Sequence, residues 1–353
     1  MGKRYITIRP LDTFLFKEGY SLNKGTTNWI TSRKMPHPSV LYGTICSALM
    51  RQGKLTEVKN AIENNSPNLE EILKRNLKIK RIYIFHEGEF YIPVPADLFC
   101  NRRGEIHYAG KIDGILSPPC YGKESMEQLK GHFIKLEDFC ELYTEGEAIP
   151  YSSIISEADI WGVYNKTGLE LQPGKTAREG HLYTIQMAAF KDQNSCYIIE
   201  CEYEDEEEKE SGQDKEEIVL TGGKTKTAVM GQLEKNLQYK LNNFVSSYES
   251  KVYNKLNWIY MYFLTPASTQ HLENLLTQDR KCAVITSGIE LVGGYNIKDK
   301  KMKRLERCIS AGTVVKFKEE KWDGIDYKTI ADKVTNLINE PNHFRGFGSF
   351  LLF

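Results

Sequence analysis

The sequence predicts an α+β protein built from two similar halves. Three observations carry that prediction. The last hundred of its 353 residues alternate strand and helix patterns in the order βαββαβ, which is the ferredoxin-like or RRM-like order. The first stretch opens β-α-β-β and reads as a second copy at the level of topology, without a sequence repeat. Between Pro95 and Gly180 the periodicity collapses among prolines and glycines, which marks a large insertion in the first copy. The length agrees, because roughly 100–200 residues per domain calls for two domains. The expected division is an N-terminal ferredoxin-like domain over 1–245, with the insertion at about 95–180 and an acidic loop at 202–217, and a C-terminal one over 246–353.

Each element has its own reason. Tyr5 to Leu11 is a strand, with Tyr5 and Thr7 alternating against Ile6 and Ile8. Ser39 can cap a helix whose Leu41, Ile45, Ala48 and Leu49 share one face, and Gly53 stops it. Ile82 to Phe85 and Phe90 to Val94 flank a turn at Gly88 and form a hairpin. Leu182 to Phe190 and Cys196 to Tyr203 are expected to form another. Ile218 to Leu220 is a short strand. A helix follows, with Leu233, Leu237, Leu241, Phe244 and Val245 on one face. Trp258 to Leu264 is an apolar strand. Ser268 opens a helix burying Leu272, Leu275 and Leu276. Ala283 to Val292 and Ala311 to Lys318 are strands. Ile325 to Asn339 is a helix burying Ile330, Val334, Leu337 and Ile338. Phe350 to Phe353 closes the chain as a strand.

Composition narrows the partners. A hydrophobic fraction of 41% supplies enough apolar side chains for real cores. Lys plus Arg and Asp plus Glu are both 47, so the net charge is zero. That total hides an asymmetry. Glu202 to Glu217 holds ten acids against two lysines, which leaves the other 337 residues at +8. A basic body with one solvated acidic stretch is compatible with nucleic acid as a partner. No signal peptide or membrane-spanning run is visible, and none of the eight cysteines forms a Cys-x-x-Cys pair. A cytoplasmic protein with reduced core thiols and no membrane association is expected.

The chemistry-bearing motifs point to phosphate and base recognition. IVLTGGKTKT, from Ile218, has the strand, paired glycines and lysine of a P-loop. However, Ile218 stands where that loop needs its first glycine, so nucleotide hydrolysis is not expected. Gly222 and Gly223 still let backbone amides approach a phosphate, and Lys224 and Lys226 add charge; a plain turn is the competing reading. Arg345-Gly346-Phe347-Gly348 precedes the last strand. There Arg345 can reach a phosphate and Phe347 offers a stacking face, with a simple turn as the alternative. Lys298 to Arg307 holds six basic and two acidic residues and, following Gly293-Gly294, reads as a basic loop or a solvated face. No histidine pair has metal-ligand spacing, so no metal or other cofactor is expected. His37 and His181 sit beside basic residues. Either can act as the base of an RNA cleavage, or be structural.

Taken together, these pieces resemble one family. LDTFLFKEGYS (from Leu11) and MPHPSVLYGTICSAL (from Met35) resemble the opening of the RAMP superfamily, the repeat-associated RNA-binding subunits of CRISPR effector complexes. TAREGHLYTIQMAAF (from Thr176) resembles a glycine-containing strand of that superfamily. ITSGIELVGGYNIKDKKMKRLERCISAGTVVKF (from Ile285) resembles the glycine-pair stretch in the third subunit of the Cmr complex, type III-B. GFGSFLLF (from Gly346) resembles the terminal glycine-rich loop.

The resemblance implies a non-catalytic subunit that holds the repeat-derived 5′ handle of the crRNA, the guide RNA. It also implies neighbours: the large polymerase-like subunit and the backbone RAMP subunits, with target RNA met only indirectly. The residues then expected to contact RNA are Arg33, Lys34, His37, Ser39, Arg178, His181, Gly222, Gly223, Lys224, Lys226, Gly293, Gly294, Lys303, Arg304, Arg345, Gly346, Phe347 and Gly348. The alternative within the superfamily is a metal-independent endoribonuclease that processes precursor crRNA, with His37 or His181 as its base.

Overall fold

The computed structural model describes residues 2–17, 29–112, 115–117, 125–171, 177–203, 216–223, 226–252, 259–270, 282–296, 301–317, 327–338 and 340–352. Strand β1 (Gly2–Pro10) opens the chain as expected. Strand β2 (Trp29–Arg33) leads into helix α1 (Pro38–Arg51). Leu41, Ile45, Ala48 and Leu49 are all buried on its inner face. Ser39 is not its cap. His37 holds that position in extended conformation, and Pro38 begins the helix, where its locked φ fits and its missing N–H costs nothing. Helices α2 (Thr56–Glu63) and α3 (Leu69–Asn76) follow. Neither was expected from the sequence; each is only eight residues long, with α2 burying Val58 and Ala61 and α3 packing the partly buried Ile72 and Leu73 on the core. Strands β3 (Leu77–His86) and β4 (Glu89–Pro93) form the expected hairpin through Glu87 and Gly88.

The insertion is more regular than its sequence suggests. It supplies β5 (His132–Lys135), β6 (Ile154–Ser156) and the whole of β7 (Trp161–Leu171). Next come β8 (Ala177–Phe190), β9 (Cys196–Tyr203), β10 (Glu217–Leu220), β11 (Thr227–Gln232) and helix α4 (Lys235–Val252). The expected hairpin between β8 and β9 does not exist. β8 pairs with β7, while β9 lies between β1 and β3. Seven of its eight residues are buried, the mark of a central strand covered on both faces. The acidic segment 204–215 lies outside the described residues. An antiparallel sheet of eight strands results, in the order β6–β5–β4–β3–β9–β1–β11–β10. A second sheet joins β7, β8, β2 and the short strand Phe16–Lys17, with β8 and β2 parallel.

The C-terminal part contains β12 (Ile259–Phe263), β13 (Ala267–Ser268), β14 (Cys282–Ile285), β15 (Ile289–Val292), β16 (Glu306–Ile309), β17 (Val314–Phe317), helix α5 (Tyr327–Ile338) and β18 (Phe350–Leu352). Its main sheet runs β14–β17–β12–β18, and β13–β16–β15 form a smaller one. The single strand expected over 283–292 breaks in two. At the break the Thr286 hydroxyl donates to the Gly288 carbonyl at 2.8 Å and accepts from the Gly288 N–H at 3.1 Å, closing a turn. Ser268 belongs to β13, and the helix expected from Leu272 to Leu276 lies outside the described residues. The 298–307 run is not one loop: Tyr295–Asn296 pairs with Lys301–Met302, and β16 takes up Glu306 and Arg307.

Both faces of the large sheet are buried. Ile6, Ile8, Ile82, Ile84 and Ile199 pack beneath α1. Tyr5, Tyr83 and Ile198 pack on the other side against Leu241 and Tyr248 of α4 and against Tyr262, Val314 and Leu351 of the C-terminal part. A third core lies between the C-terminal sheet and α5. The expected boundary at 245/246 falls inside α4. Six cysteines among the described residues are free thiols, five of them buried. No helix among the described residues is long and apolar enough to cross a membrane.

Candidate nucleic-acid interface

The loop after β2 and the start of α1 bring four expected residues together. Arg33 forms an ion pair with Glu290 of β15, reaching across to the C-terminal part. Lys34 places its ammonium 2.6 Å from the Glu157 carboxylate. His37 is buried, and neither ring nitrogen has a hydrogen-bond partner among the described residues. Its ring stacks on Phe347, with centroids 6.4 Å apart and planes at 28°. Burial, and then the positive charge of Arg33, push the imidazole down to about 3. Ser39 is half-buried in the first turn of α1.

The terminal glycine-rich turn is packed between the two parts of the molecule. Phe347 is only 6% exposed and clusters with Val292 and Cys308, so its ring faces His37 and the core, not open solvent. Gly346 has φ +93°, a left-handed conformation, and a methyl in place of its hydrogen would lie 2.7 Å from Ile79 Cγ2. Only glycine meets both demands. The Thr265 hydroxyl donates to the Gly346 carbonyl at 2.7 Å, and the Gly348 N–H donates to the Pro266 carbonyl at 2.8 Å. Arg345 Nη1 donates to Asn342 Oδ1 at 2.6 Å, and the guanidinium lies over the Phe344 ring and near Glu70. Gly293 and Gly294 end β15, and the Gly294 carbonyl accepts from the Lys303 N–H at 2.8 Å. Partial burial and then the charge of Arg345 lower the Lys303 ammonium below its usual range, while Glu70 acts in the opposite sense. Arg304 is exposed.

Thr221, Gly222 and Gly223 of the TGGK segment sit elsewhere, beside the strip Thr13 to Phe16. They follow β10, β11 is the next strand after them, and the next described helix along the chain begins only at Lys235. A P-loop needs a helix directly after the glycines, so its geometry is absent. Gly222 has φ +71°, and a methyl added there would lie 2.7 Å from the Leu15 carbonyl, which also accepts the Gly223 N–H at 2.8 Å. That amide is therefore engaged within the protein. Lys226 Nζ donates to Thr13 Oγ1 at 2.9 Å, with the Asp12 carboxylate at 3.8 Å. Lys224 and the side chains of Arg178 and His181 lie outside the described residues.

One open concavity collects expected residues. It is a cleft of about 360 Å³, lined by Thr31, Arg33, Lys34, Glu157, Val163 and Gln186 among others. Arg33 and Lys34 are the two that the sequence singled out. Thr31, Val163 and Gln186 were missed, since their place on one face follows from pairing β2 with β8 and β8 with β7. No local motif announces that pairing.

Comparison with known proteins fits this architecture. Residues 6–353 match the family described as CRISPR-associated protein (Cas_Cmr3). The chain belongs to that family. Among solved structures it is similar to a chain in the cryo-EM structure of the type III-B Cmr-beta bound to cognate target RNA. There the TM-score is 0.53 and the identity 17%, covering 94% of this chain and 89% of that one. A chain of Cmr-beta bound to cognate target RNA and AMPPnP, state 1, gives a TM-score of 0.47 at 17% identity over 94% and 89%. A chain of the Csm3–Csm4 subcomplex of the type III-A CRISPR-Cas interference complex gives 0.42 at 13% identity over 90% and 93%. No curated protein matches the chain.

Proposed function

We propose that this Cas_Cmr3-family chain is a non-catalytic, guide-RNA-binding subunit of a type III-B CRISPR effector complex in the cytoplasm. It holds the repeat-derived 5′ handle of the crRNA and bridges the large polymerase-like subunit to the backbone RAMP subunits, meeting target RNA indirectly. The observation that carries the reading is the cleft with Arg33 and Lys34 in its wall. Family membership makes RNA the natural occupant. The phosphate backbone competes with Glu157 for Lys34 and with Glu290 for Arg33, replacing one charge-assisted partner with another.

Strand order supports a ferredoxin-like reading of both parts. In the C-terminal sheet the second, third, first and fourth strands lie side by side as β14–β17–β12–β18, and β3–β9–β1–β11 repeat that order in the large sheet. The state of His37 supports the scaffold over the nuclease. A buried imidazole stacked on Phe347 has no path to a 2′-hydroxyl, and its depressed pKa makes it a poor proton acceptor near neutrality.

Purification of the chain from its host, followed by sequencing of the bound RNA, tests the proposal. Short RNAs sharing a repeat-derived 5′ end, together with large-subunit and backbone partners, are expected. A protein recovered without RNA overturns it. Incubation with repeat RNA in EDTA tests the catalytic half, and a site-specific cut lost in His181→Ala would make the chain a nuclease.

A further inference from the structure

The sheet formed by β7, β8, β2 and Phe16–Lys17 has one face that leaves the core and becomes open. Strand register settles which residues share it. Thr167, Thr184 and Trp29 form one row; Asn165, Gln186 and Thr31 form the next; Val163 and Ala188 form the third. Gln186 Nε2 donates to Asn165 Oδ1 at 3.3 Å across the strands, as same-face neighbours can. On the opposite face Ile185 and Met187 pack on Leu15, while Tyr164 beside Met187 stays exposed. At its inner end the open face joins the core through Trp161 and Phe190. Trp29, in the row farthest from that end, is 52% exposed, and Val163, in the row next to Trp161, is 47% exposed.

An indole on an open sheet, next to a row of amide and hydroxyl side chains, matches what an unpaired nucleotide needs. The ring offers a stacking surface, the neighbouring row offers donors and acceptors for a base edge, and the cations of the cleft lie on the same side for phosphate. We propose that this face seats one unpaired RNA base on the Trp29 indole, with Thr31 and Gln186 hydrogen-bonding its edge and Lys34 meeting the adjoining phosphate. Charge and polarity select RNA over an apolar protein segment as the occupant, since Arg33 and Lys34 stand against the single carboxylate Glu157 in the cleft that adjoins this face, with Thr31 and Gln186 beside them. The proposal rests on the RNA-binding reading above and adds the place where a base is held.

The test uses the full chain and fluorescence anisotropy with two fluorescein-labelled single-stranded RNAs, a 12-nucleotide oligoadenylate and the repeat-derived handle. Trp29→Ala is expected to weaken binding about ten-fold, the scale of one lost base–aromatic stack, and Trp29→Phe to stay within about three-fold of wild type. The slope of log affinity against log salt is expected to stay unchanged in Trp29→Ala, because stacking releases no counterions, whereas Lys34→Ala lowers it by about 0.7. Trp29→Ala binding as tightly as wild type overturns the stacking site and leaves the RNA-binding reading intact. Wild-type protein that binds neither RNA overturns both. A Trp29→Ala protein that keeps its RNA affinity but loses a partner subunit in pull-down makes this face a protein contact and also overturns the proposal.

Discussion

The seam around Phe347 and the open face around Trp29 both present aromatic, glycine or basic residues of the kind that bind RNA, yet they spend them differently. At the seam the ring of Phe347 lies against His37, Gly346 fits against Ile79, and backbone groups of the turn are taken by Thr265 and Pro266. Those residues hold the N-terminal and C-terminal parts together. On the sheet face Trp29 and Val163 stay exposed, and the adjoining cations are held by Glu157 at Lys34 and by Glu290 and the Met35 carbonyl at Arg33. Burial and satisfied hydrogen bonds, more than residue type, separate a docking motif from a ligand site.

The largest expected effect tests the seam. Phe347→Ala should cost about 3–5 kcal/mol of stability, the usual range for emptying a buried aromatic site, read from chemical denaturation midpoints. A loss below about 1 kcal/mol would break the comparison, because Phe347 would then not be a packing residue.

His37 sharpens the same side through pH. Its folded pKa of about 3 lies below the ordinary 6.5, so the unfolded chain takes up a proton that the folded chain refuses. Its contribution is complete above 6.5 and is lost toward 3 at about 1.4 kcal/mol per pH unit. Asp97 works in the opposite sense. Burial pushes its carboxyl up to about 6, although the Tyr143 hydroxyl donates to it at 2.8 Å. Its contribution is therefore present at low pH and fades as pH rises through 6. Denaturation of His37→Leu beside wild type between pH 7 and 4 isolates the imidazole's contribution, and the variant's profile should lack that acid loss. Parallel profiles would mean that the imidazole is solvated.

The smallest effect tests the open side. Glu157→Gln frees Lys34 and should tighten RNA binding about two- to five-fold, with stability within about 1 kcal/mol of wild type, since the pair is half-buried and close to the surface. Anisotropy titrations at two salt concentrations check it. Unchanged affinity would place the phosphate path away from Lys34.

The elements with strong local signals were legible in the sequence. α1 and α5 followed from apolar spacing, the β3–β4 hairpin from its Glu87-Gly88 turn, and β12 and β18 from compact apolar runs. α2 and α3 were not, although Leu69, Ile72 and Leu73 stand at helical spacing; each helix is only eight residues long and neither has a side-chain N-cap to mark its start. The split of 283–292 was missed although Thr286-Ser287-Gly288 stands between the apolar runs Ala283–Ile285 and Ile289–Val292; Ser-Gly is a turn signal, and the Thr286 side chain closes the turn there.

By itself, the sequence determined that the chain is α+β and that family motifs run through most of its length, and it singled out Arg33, Lys34, His37 and the terminal glycine turn. Tertiary structure alone decided where each lies and what it touches. Strand partners are chosen by burial on both faces, so β9 sits between β1 and β3 instead of pairing with β8. That choice sends β8 to β2 and β7 and sets Trp29, Thr31 and Gln186 on one open face. The packing of the C-terminal part then closes over Phe347. Local pattern reports propensity and periodicity; which side chains remain in solvent depends on contacts between residues far apart in the chain.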